Sequence, residues 1–142
     1  IVGNGNQEAE IRKYAEDNEF SENLHITGWV DDPMSYVELF DVSCLLSRWE
    51  GFGLALPEYM MASKPIVASR VDAIPNIIRN GENGLLVNVD DADGASEAVL
   101  RIYQENGLKD KLVAQGLKDV HDRFDARRVS EEHGKLFNKE MD

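Results

Sequence analysis

Two carboxylates and a run of glycines stand close together in the middle of the chain. Glu50 precedes the turn Gly51-Phe52-Gly53-Leu54, and Glu58 follows at the start of a predicted helix. Glycines let backbone N–H groups approach a ligand closely, and a helix N-terminus favours an anion. The two carboxylates can accept hydrogen bonds from hydroxyl groups. The pattern therefore predicts a ligand that carries both negative charge and hydroxyls, such as a sugar nucleotide.

Both glutamates must also be weighed against structural explanations. A glutamate in the first turn of a helix stabilises the helix dipole without any ligand, and this alone could account for Glu58. Glu50 lies between Trp49 and the glycine turn, where a carboxylate has no evident structural task. The spacing therefore favours a functional role more clearly for Glu50 than for Glu58.

The elements that must position these residues alternate along the chain. Apolar segments predict strands at residues 1–2, 24–27, 42–47, 66–69 and 85–87. The segments between and after them predict helices at residues 7–18, 33–40, 56–63, 74–79, 92–106, 108–124 and 126–139. This order predicts an α/β fold with a doubly wound parallel sheet, and such sheets bind ligands beyond the carboxyl ends of their strands.

Two further expectations concern the core. The helix at residues 92–106 should bury one face, which consists of Ala95, Ala98, Val99, Ile102 and Tyr103. The single cysteine, Cys44, lies in the apolar strand at residues 42–47 and should be a small buried core residue. One cysteine excludes an intramolecular disulfide and a site built from several thiolates.

Length and charge narrow the class of protein. A chain of 142 residues predicts one domain, residues 1–142, and its opening on Ile1-Val2-Gly3 suggests a fragment truncated within a strand. The net charge of −12 argues against nucleic acid and anionic membranes as partners. Residues 51–90 carry four acidic and three basic side chains, so the segment that bears the motif is nearly neutral. We expect a cytoplasmic protein, because no signal peptide or spanning segment is evident.

Three other patterns predict no chemistry. The glycines Gly3 and Gly5 resemble a dinucleotide fingerprint, but its third glycine would fall on Glu8. The aspartates at residues 90–93 lack a calcium loop's first and last ligands, and Asp90 or Asp91 as a helix N-cap explains the cluster. The histidines, at positions 25, 121 and 133, lack metal-ligand spacing.

At the glutamate pair the chain resembles the C-terminal, donor-binding domain of a family 4 glycosyltransferase with the GT-B fold, the glycosyl transferases group 1 family. That family is marked by E-G-F-G-L-x-x-x-E followed by a Met-rich helix and P-x-V. Here the motif runs from Glu50 to Glu58, followed by Met60, Pro65 and Val67. The similarity extends from Ile1 to about residue 136 and includes Val2-Gly3-Asn4-Gly5, Ile26-Thr27-Gly28-Trp29-Val30 and Asn80-Gly81-Glu82-Asn83-Gly84.

The resemblance implies a role for each matching position. Glu50 would bind hydroxyls of the donor sugar as the catalytic glutamate, and Glu58 would hold the nucleotide ribose. Further donor-binding residues would be Gly51, Phe52, Gly53 and Leu54 through their backbone amides, Trp29 and Val30 near the base, and Gly3. The reaction would transfer a sugar from a nucleoside-diphosphate sugar with retention of configuration, with no cofactor and no bound metal.

The chain also departs from the family pattern. Ser63 replaces a common glycine, Asp72-Ala73 replaces a frequent Gly-Gly, and Asn76 replaces a frequent glutamate. The basic residues that grip the donor diphosphate and the acceptor-binding N-terminal domain would lie upstream in the parent protein. We therefore expect this chain alone to be inactive, and any peripheral membrane association would belong to the parent alone. A sugar-nucleotide epimerase of the same fold and a non-catalytic nucleotide-binding module remain alternatives.

Overall fold

The computed structural model of the chain describes residues 1–124. These residues form two compact units, Ile1–Leu39 and a second unit that begins at Phe40. The helix predicted at residues 126–139 lies outside the described residues.

The first unit contains two α-helices. They are α1 (Glu8–Asp17) and α2 (Pro33–Val37), with a 3-10 turn at Ser21–Asn23 between them. Pro33 occupies the first turn of α2, as predicted, because its fixed φ suits that position and its missing N–H is not needed there. The Asp32 side chain caps this helix by accepting from the N–H groups of Met34 and Ser35. A hydrogen bond from the Ser35 hydroxyl, followed by those from the two backbone N–H groups, holds the pKa of Asp32 below its usual value.

The strand predicted at residues 24–27 is wrong. Instead, residues 25–28 make three backbone hydrogen bonds with the first residues of the chain. The amino group of Ile1 donates to His25, Thr27 donates to Ile1, and Gly3 donates to Gly28. Within the described residues of this unit only an isolated antiparallel Gly3–Gly28 bridge is formed, and one bridge does not make a strand.

The second unit is a parallel sheet with helices on both faces. Its elements are β1 (Ser43–Leu45), α3 (Ala55–Met61), β2 (Ile66–Ser69), α4 (Ile74–Ile77), β3 (Leu85–Val87), α5 (Ala92–Gln104) and α6 (Leu108–Arg123). The strand order is β1-β2-β3, and Val67 pairs with both Cys44 and Leu85. This arrangement confirms the predicted α/β fold with a parallel sheet.

Alternation along β2 divides the core between the two faces of the sheet. Ile66 and Ala68 point into one apolar cluster, which Leu56 and Met60 of α3 complete. Val67 points into the other cluster, which is built mainly by α5 and the start of α6. Side chains of a strand alternate between faces, so a continuous apolar run such as β2 must be covered on both sides.

Two predicted core residues are exposed. Cys44 was expected in the core, but α5 packs on β2 and β3 and leaves the side of β1 that carries Cys44 open. Tyr103 of α5 is 62% exposed, whereas Ala95, Ala98 and Ile102 are buried as predicted. Tyr103 directly follows Ile102, so the helix turns its ring away from the sheet.

The N-terminus of α5 depends on an aspartate and a glycine. Asp91 caps the helix, because its Oδ1 accepts a hydrogen bond of 2.9 Å from the N–H of Gly94. A Cβ at position 94 would collide with the Asp91 carboxylate, so this geometry of the cap requires glycine there. The aspartate cluster at residues 90–93 therefore has the structural role expected from the sequence.

Candidate functional site

The loops that follow β1 and β2 leave the sheet at the same edge, because neighbouring parallel strands end on the same side. The first loop carries Glu50 and the glycine turn, and it leads into α3. The second loop carries Asp72 and leads into α4. A hydrogen bond joins the two loops, since the backbone N–H of Glu50 donates to Oδ2 of Asp72 at 2.9 Å.

The Glu50 carboxylate is partly buried and held from two sides. Its Oε1 accepts from the backbone N–H of Gly53 at 3.2 Å, and its Oε2 accepts from the Ser47 hydroxyl at 3.3 Å. A carboxylate has about four lone-pair positions, so both oxygens keep the capacity to accept from a ligand hydroxyl. Glu50 is therefore oriented by its own loop before any ligand arrives.

The glycine turn has a geometry that a larger residue would not tolerate. Gly53 is buried with a φ of +77°, and a Cβ there would lie 3.1 Å from Cδ1 of Leu56. The N–H of Gly53 is already used by Glu50, whereas those of Gly51, Phe52 and Leu54 have no acceptor among the described residues. These three amides could bind an anionic ligand, and Gly53 contributes through the turn and through Glu50.

Glu58 lies in the first turn of α3, as predicted. Its side chain is exposed and makes no hydrogen bond or ion pair within the described part of the chain. Burial, and secondly the negative charge of Glu58, raise the pKa of the adjacent Tyr59. Glu58 is therefore a charged acceptor that remains available to a ligand.

The sequence did not identify two residues that contact Glu50. Ser47 lies three positions before it, and that spacing was a usable signal because short polar side chains often reach a neighbour three residues away. Asp72 was noted only as a departure from a Gly-Gly pair. Its φ of +45° suits the glycine that the family resemblance implies there, and aspartate is among the few other residues that adopt this conformation readily.

A cavity of about 340 Å³ opens at the carboxyl ends of the strands. Leu46 and Ser69 line it together with the start of α5, and the ion pair between Arg48 and Asp90 borders it at 2.7 Å. Ser69 is 2% exposed, and its hydroxyl forms no hydrogen bond with any described residue. The edge of the sheet thus offers room and an unused hydroxyl beside the loop that carries Glu50.

The remaining predicted site residues lie in the first unit. Gly3 has a φ of +115° and forms the bridge to Gly28. Trp29 is 78% exposed, and Val30 is partly exposed.

Residues 1–124 contain neither a metal-ligand cluster nor a helix that could cross a membrane. In this part of the chain, no group of three or more histidine, cysteine or acidic residues could hold a metal ion. None of the helices described there has the length and apolar character that crossing a bilayer requires.

Comparison with known proteins places the chain in a family. The sequence profile of "Glycosyl transferases group 1" matches residues 1–119. The chain is 38% identical over 133 residues to a phosphatidyl-myo-inositol mannosyltransferase of Mycolicibacterium smegmatis. The aligned region covers 92% of this chain and 33% of that protein. It is 27% identical over 136 residues to the lipopolysaccharide core biosynthesis glycosyltransferase LpsE of Rhizobium meliloti, covering 96% of the chain and 40% of that protein.

A solved structure gives the same fold. Anabaena HepE, crystallised in complex with UDP and glucose, superposes with a TM-score of 0.89 at 17% identity, covering 97% of this chain and 39% of that chain. At this identity the likeness concerns the fold alone, and it agrees with a Rossmann-like half of a GT-B protein. The chain spans between a third and two fifths of the length of all three of these proteins.

Proposed function

The chain belongs to the glycosyl transferases group 1 family, and we propose that it is the donor-binding domain of a retaining glycosyltransferase. The parent protein would move a sugar from a nucleoside-diphosphate sugar to an acceptor such as a glycan or a lipid-linked saccharide. An N-terminal domain of that parent would bind the acceptor. Surface polysaccharide or glycan assembly in the cytoplasm is the process that we propose for it.

The observation that carries this proposal is the conformation of Glu50. Its carboxylate is oriented by Ser47 and Gly53 and still has capacity to accept from a sugar hydroxyl. Glu58 supplies a second acceptor, with no protein partner among the described residues, which we assign to the ribose. We assign the unused amides of the glycine turn to the diphosphate, as one part of the groups that hold it.

The chemistry that we propose depends on orientation and on charge stabilisation. Glu50 would fix the sugar so that its anomeric carbon faces the acceptor, and a ligand held in this way reacts faster because little motional freedom remains to be lost. The backbone amides near α3 would stabilise the negative charge that grows on the departing diphosphate. No cofactor is part of the proposal.

Replacing Glu50 with glutamine in the full-length protein tests this proposal. Glutamine keeps an oxygen that can accept from Gly53 but loses the charge that strengthens a bond to a sugar hydroxyl. We expect the transfer rate to fall roughly 10- to 100-fold, which corresponds to the approximately 1.5–3 kcal/mol of a hydrogen bond to a charged group. The dissociation constant for the bare nucleoside diphosphate, measured by calorimetry, should change less than about twofold, since that ligand carries no sugar.

A matched control is Glu97→Gln, which removes an exposed carboxylate from the middle of α5. This variant should transfer sugar at the rate of the unmodified protein. Equal losses of transfer and of nucleotide binding in Glu50→Gln would contradict a contact specific to the sugar.

A further inference from the structure

The loop after β2 holds the Glu50 loop through one side chain. Asp72 Oδ2 accepts the backbone N–H of Glu50 at 2.9 Å across 22 positions of sequence. The two bonds to the Glu50 carboxylate come from within its own loop, from Ser47 and Gly53. Asp72 therefore fixes the main chain of Glu50 relative to the sheet, whereas the other two bonds fix its side chain relative to the loop.

The conformation of Asp72 indicates that this contact is built in rather than incidental. Its φ of +45° is unfavourable for residues with a Cβ, although aspartate tolerates it better than most. Glycine would adopt this φ freely but could not accept a hydrogen bond from Glu50. The chain thus has a strained residue at the one position from which a carboxylate reaches the Glu50 N–H.

We propose that Asp72 is a positioning residue that sets the orientation of Glu50 for sugar transfer. It acts through the main chain of Glu50 and does not contact the substrate that receives the sugar. This inference rests on the proposed function. Loss of the bond would let the loop carrying Glu50 shift, and displacements of about 1 Å at a reacting centre can lower rates up to about 100-fold.

Three variants of the full-length protein separate positioning from backbone strain. Asp72→Asn keeps an acceptor oxygen and a residue that tolerates positive φ, so transfer should stay within about twofold of the unmodified rate. Asp72→Gly relieves the strain but removes the acceptor, and kcat should fall roughly tenfold, the rate change of one lost hydrogen bond. Asp72→Ala lacks the acceptor and retains the strain, so it should lose at least as much activity and also unfold at a lower temperature.

The control matches Asp72 in charge and backbone conformation. Glu19 is an exposed acidic residue with a φ of +61° in the first unit, and its side chain makes no hydrogen bond or ion pair within residues 1–124. Glu19→Gly should leave kcat and nucleotide affinity unchanged. A fall in kcat for Asp72→Gly, with rescue in Asp72→Asn and unchanged nucleoside diphosphate affinity in both, supports positioning.

A second readout does not depend on catalysis. Hydrogen exchange of the Glu50 amide, followed by NMR in the chain itself, should be roughly tenfold faster in Asp72→Gly than in the unmodified chain. Full-rate transfer by Asp72→Gly, or equal exchange in both chains, overturns the inference and leaves the proposed function intact. Absence of transfer by the unmodified full-length protein with every nucleoside-diphosphate sugar would instead overturn the proposed function, and the inference with it.

Discussion

Glu50 and Glu58 have opposite environments, although they belong to one motif. Glu50 is partly buried and hydrogen-bonded to its own loop, so its replacement disturbs both a ligand contact and local structure. Glu58 is exposed and has no partner among the described residues, so its replacement removes little from the folded chain. Experiments at Glu58 can therefore separate ligand binding from stability more cleanly than those at Glu50.

Glu58→Ala should weaken nucleotide binding while leaving the fold almost unchanged. If Glu58 binds the ribose, the dissociation constant for the nucleoside diphosphate in the full-length protein should rise roughly tenfold, since a hydrogen bond to a charged group is lost. The free energy of unfolding should fall by about 1 kcal/mol or less, the size of a helix-dipole interaction. Calorimetric titration and urea unfolding measure the two quantities.

Asp110→Ala provides the control for Glu58, because Asp110 also lies in the first turn of a helix, α6. It should reproduce the small loss of stability with no effect on the nucleotide. If Glu58→Ala binds the nucleoside diphosphate with unchanged affinity, Glu58 does not bind the ribose.

At the residue scale, the sequence predicted the acidic pair and the position of Glu58, but it did not predict what holds Glu50. The glycine turn and the proline in the first turn of α3 are local signals, and they fix the start of that helix. The contact with Asp72 depends on how two loops meet across the sheet, which no local pattern records. Ser63 and Asp72 both have a positive φ, which suits the glycines that the family resemblance implies at these two positions.

At the scale of elements, a polar network joins α6 to the segment between α4 and β3. Buried Asp119 of α6 accepts from Arg79 at 2.8 Å, from Asn83 at 2.6 Å and from Gln115 at 2.9 Å. Burial acts to raise the pKa of Asp119, but these hydrogen bonds outweigh it and hold the pKa below 3.8. Bonds from Arg79 to Glu82 and Asp119 raise the pKa of the guanidinium.

Asp119→Asn should therefore lower stability in a way that depends on pH. Because the pKa of Asp119 is lower in the folded chain, its ionised form stabilises the fold above the unfolded pKa, and this contribution disappears as pH falls through the folded pKa. The variant should be about 1–3 kcal/mol less stable near pH 7, since an amide nitrogen would face the donors of this network. The difference should shrink below about pH 4, as the carboxyl becomes protonated.

Urea unfolding of both chains from pH 7 down to pH 3 measures this difference. Glu97→Gln, whose carboxylate is exposed, should match the unmodified chain throughout that range. A difference between Asp119→Asn and the unmodified chain that stays constant with pH would show that packing, and not ionisation, explains the loss.

Elements bounded by strong local signals were predicted best. The observed limits of β2 and β3 are the same as the predicted ones, because Pro65 precedes one apolar run and Gly84 precedes the other. Residues 24–27 instead alternate apolar and polar side chains, and a strand also needs a partner; within its unit this segment pairs only with the first three residues. The prediction that Cys44 is buried was wrong for a similar reason, because burial of that side chain depends on which strands α5 covers.

At the scale of the whole molecule, the chain offers many acceptors and few cations for a diphosphate. It carries 27 acidic and 15 basic side chains, giving a net charge of −12. The negative electrostatic potential of the chain would therefore oppose binding of the proposed anionic donor. The backbone amides of the glycine turn would favour it. Since the chain spans 33% and 40% of two relatives' lengths, we expect the rest of the parent protein to supply the missing positive charge and the acceptor site.

The isolated chain should consequently bind a nucleoside diphosphate weakly and transfer no sugar, whereas the full-length protein should do both. A ligand that binds the folded state raises its stability by about 2.7 kcal/mol at 100 times its dissociation constant, so thermal unfolding reports binding without knowledge of the acceptor. Uridine, guanosine and adenosine diphosphates, each with and without an attached hexose, should be compared on both proteins at the same concentration. One base should protect the full-length protein far more than the others, and the hexose should add protection that Glu50→Gln abolishes. Equal protection of the isolated chain and the full-length protein would show that residues 1–142 hold the complete donor site, and the need for upstream cations would then be refuted.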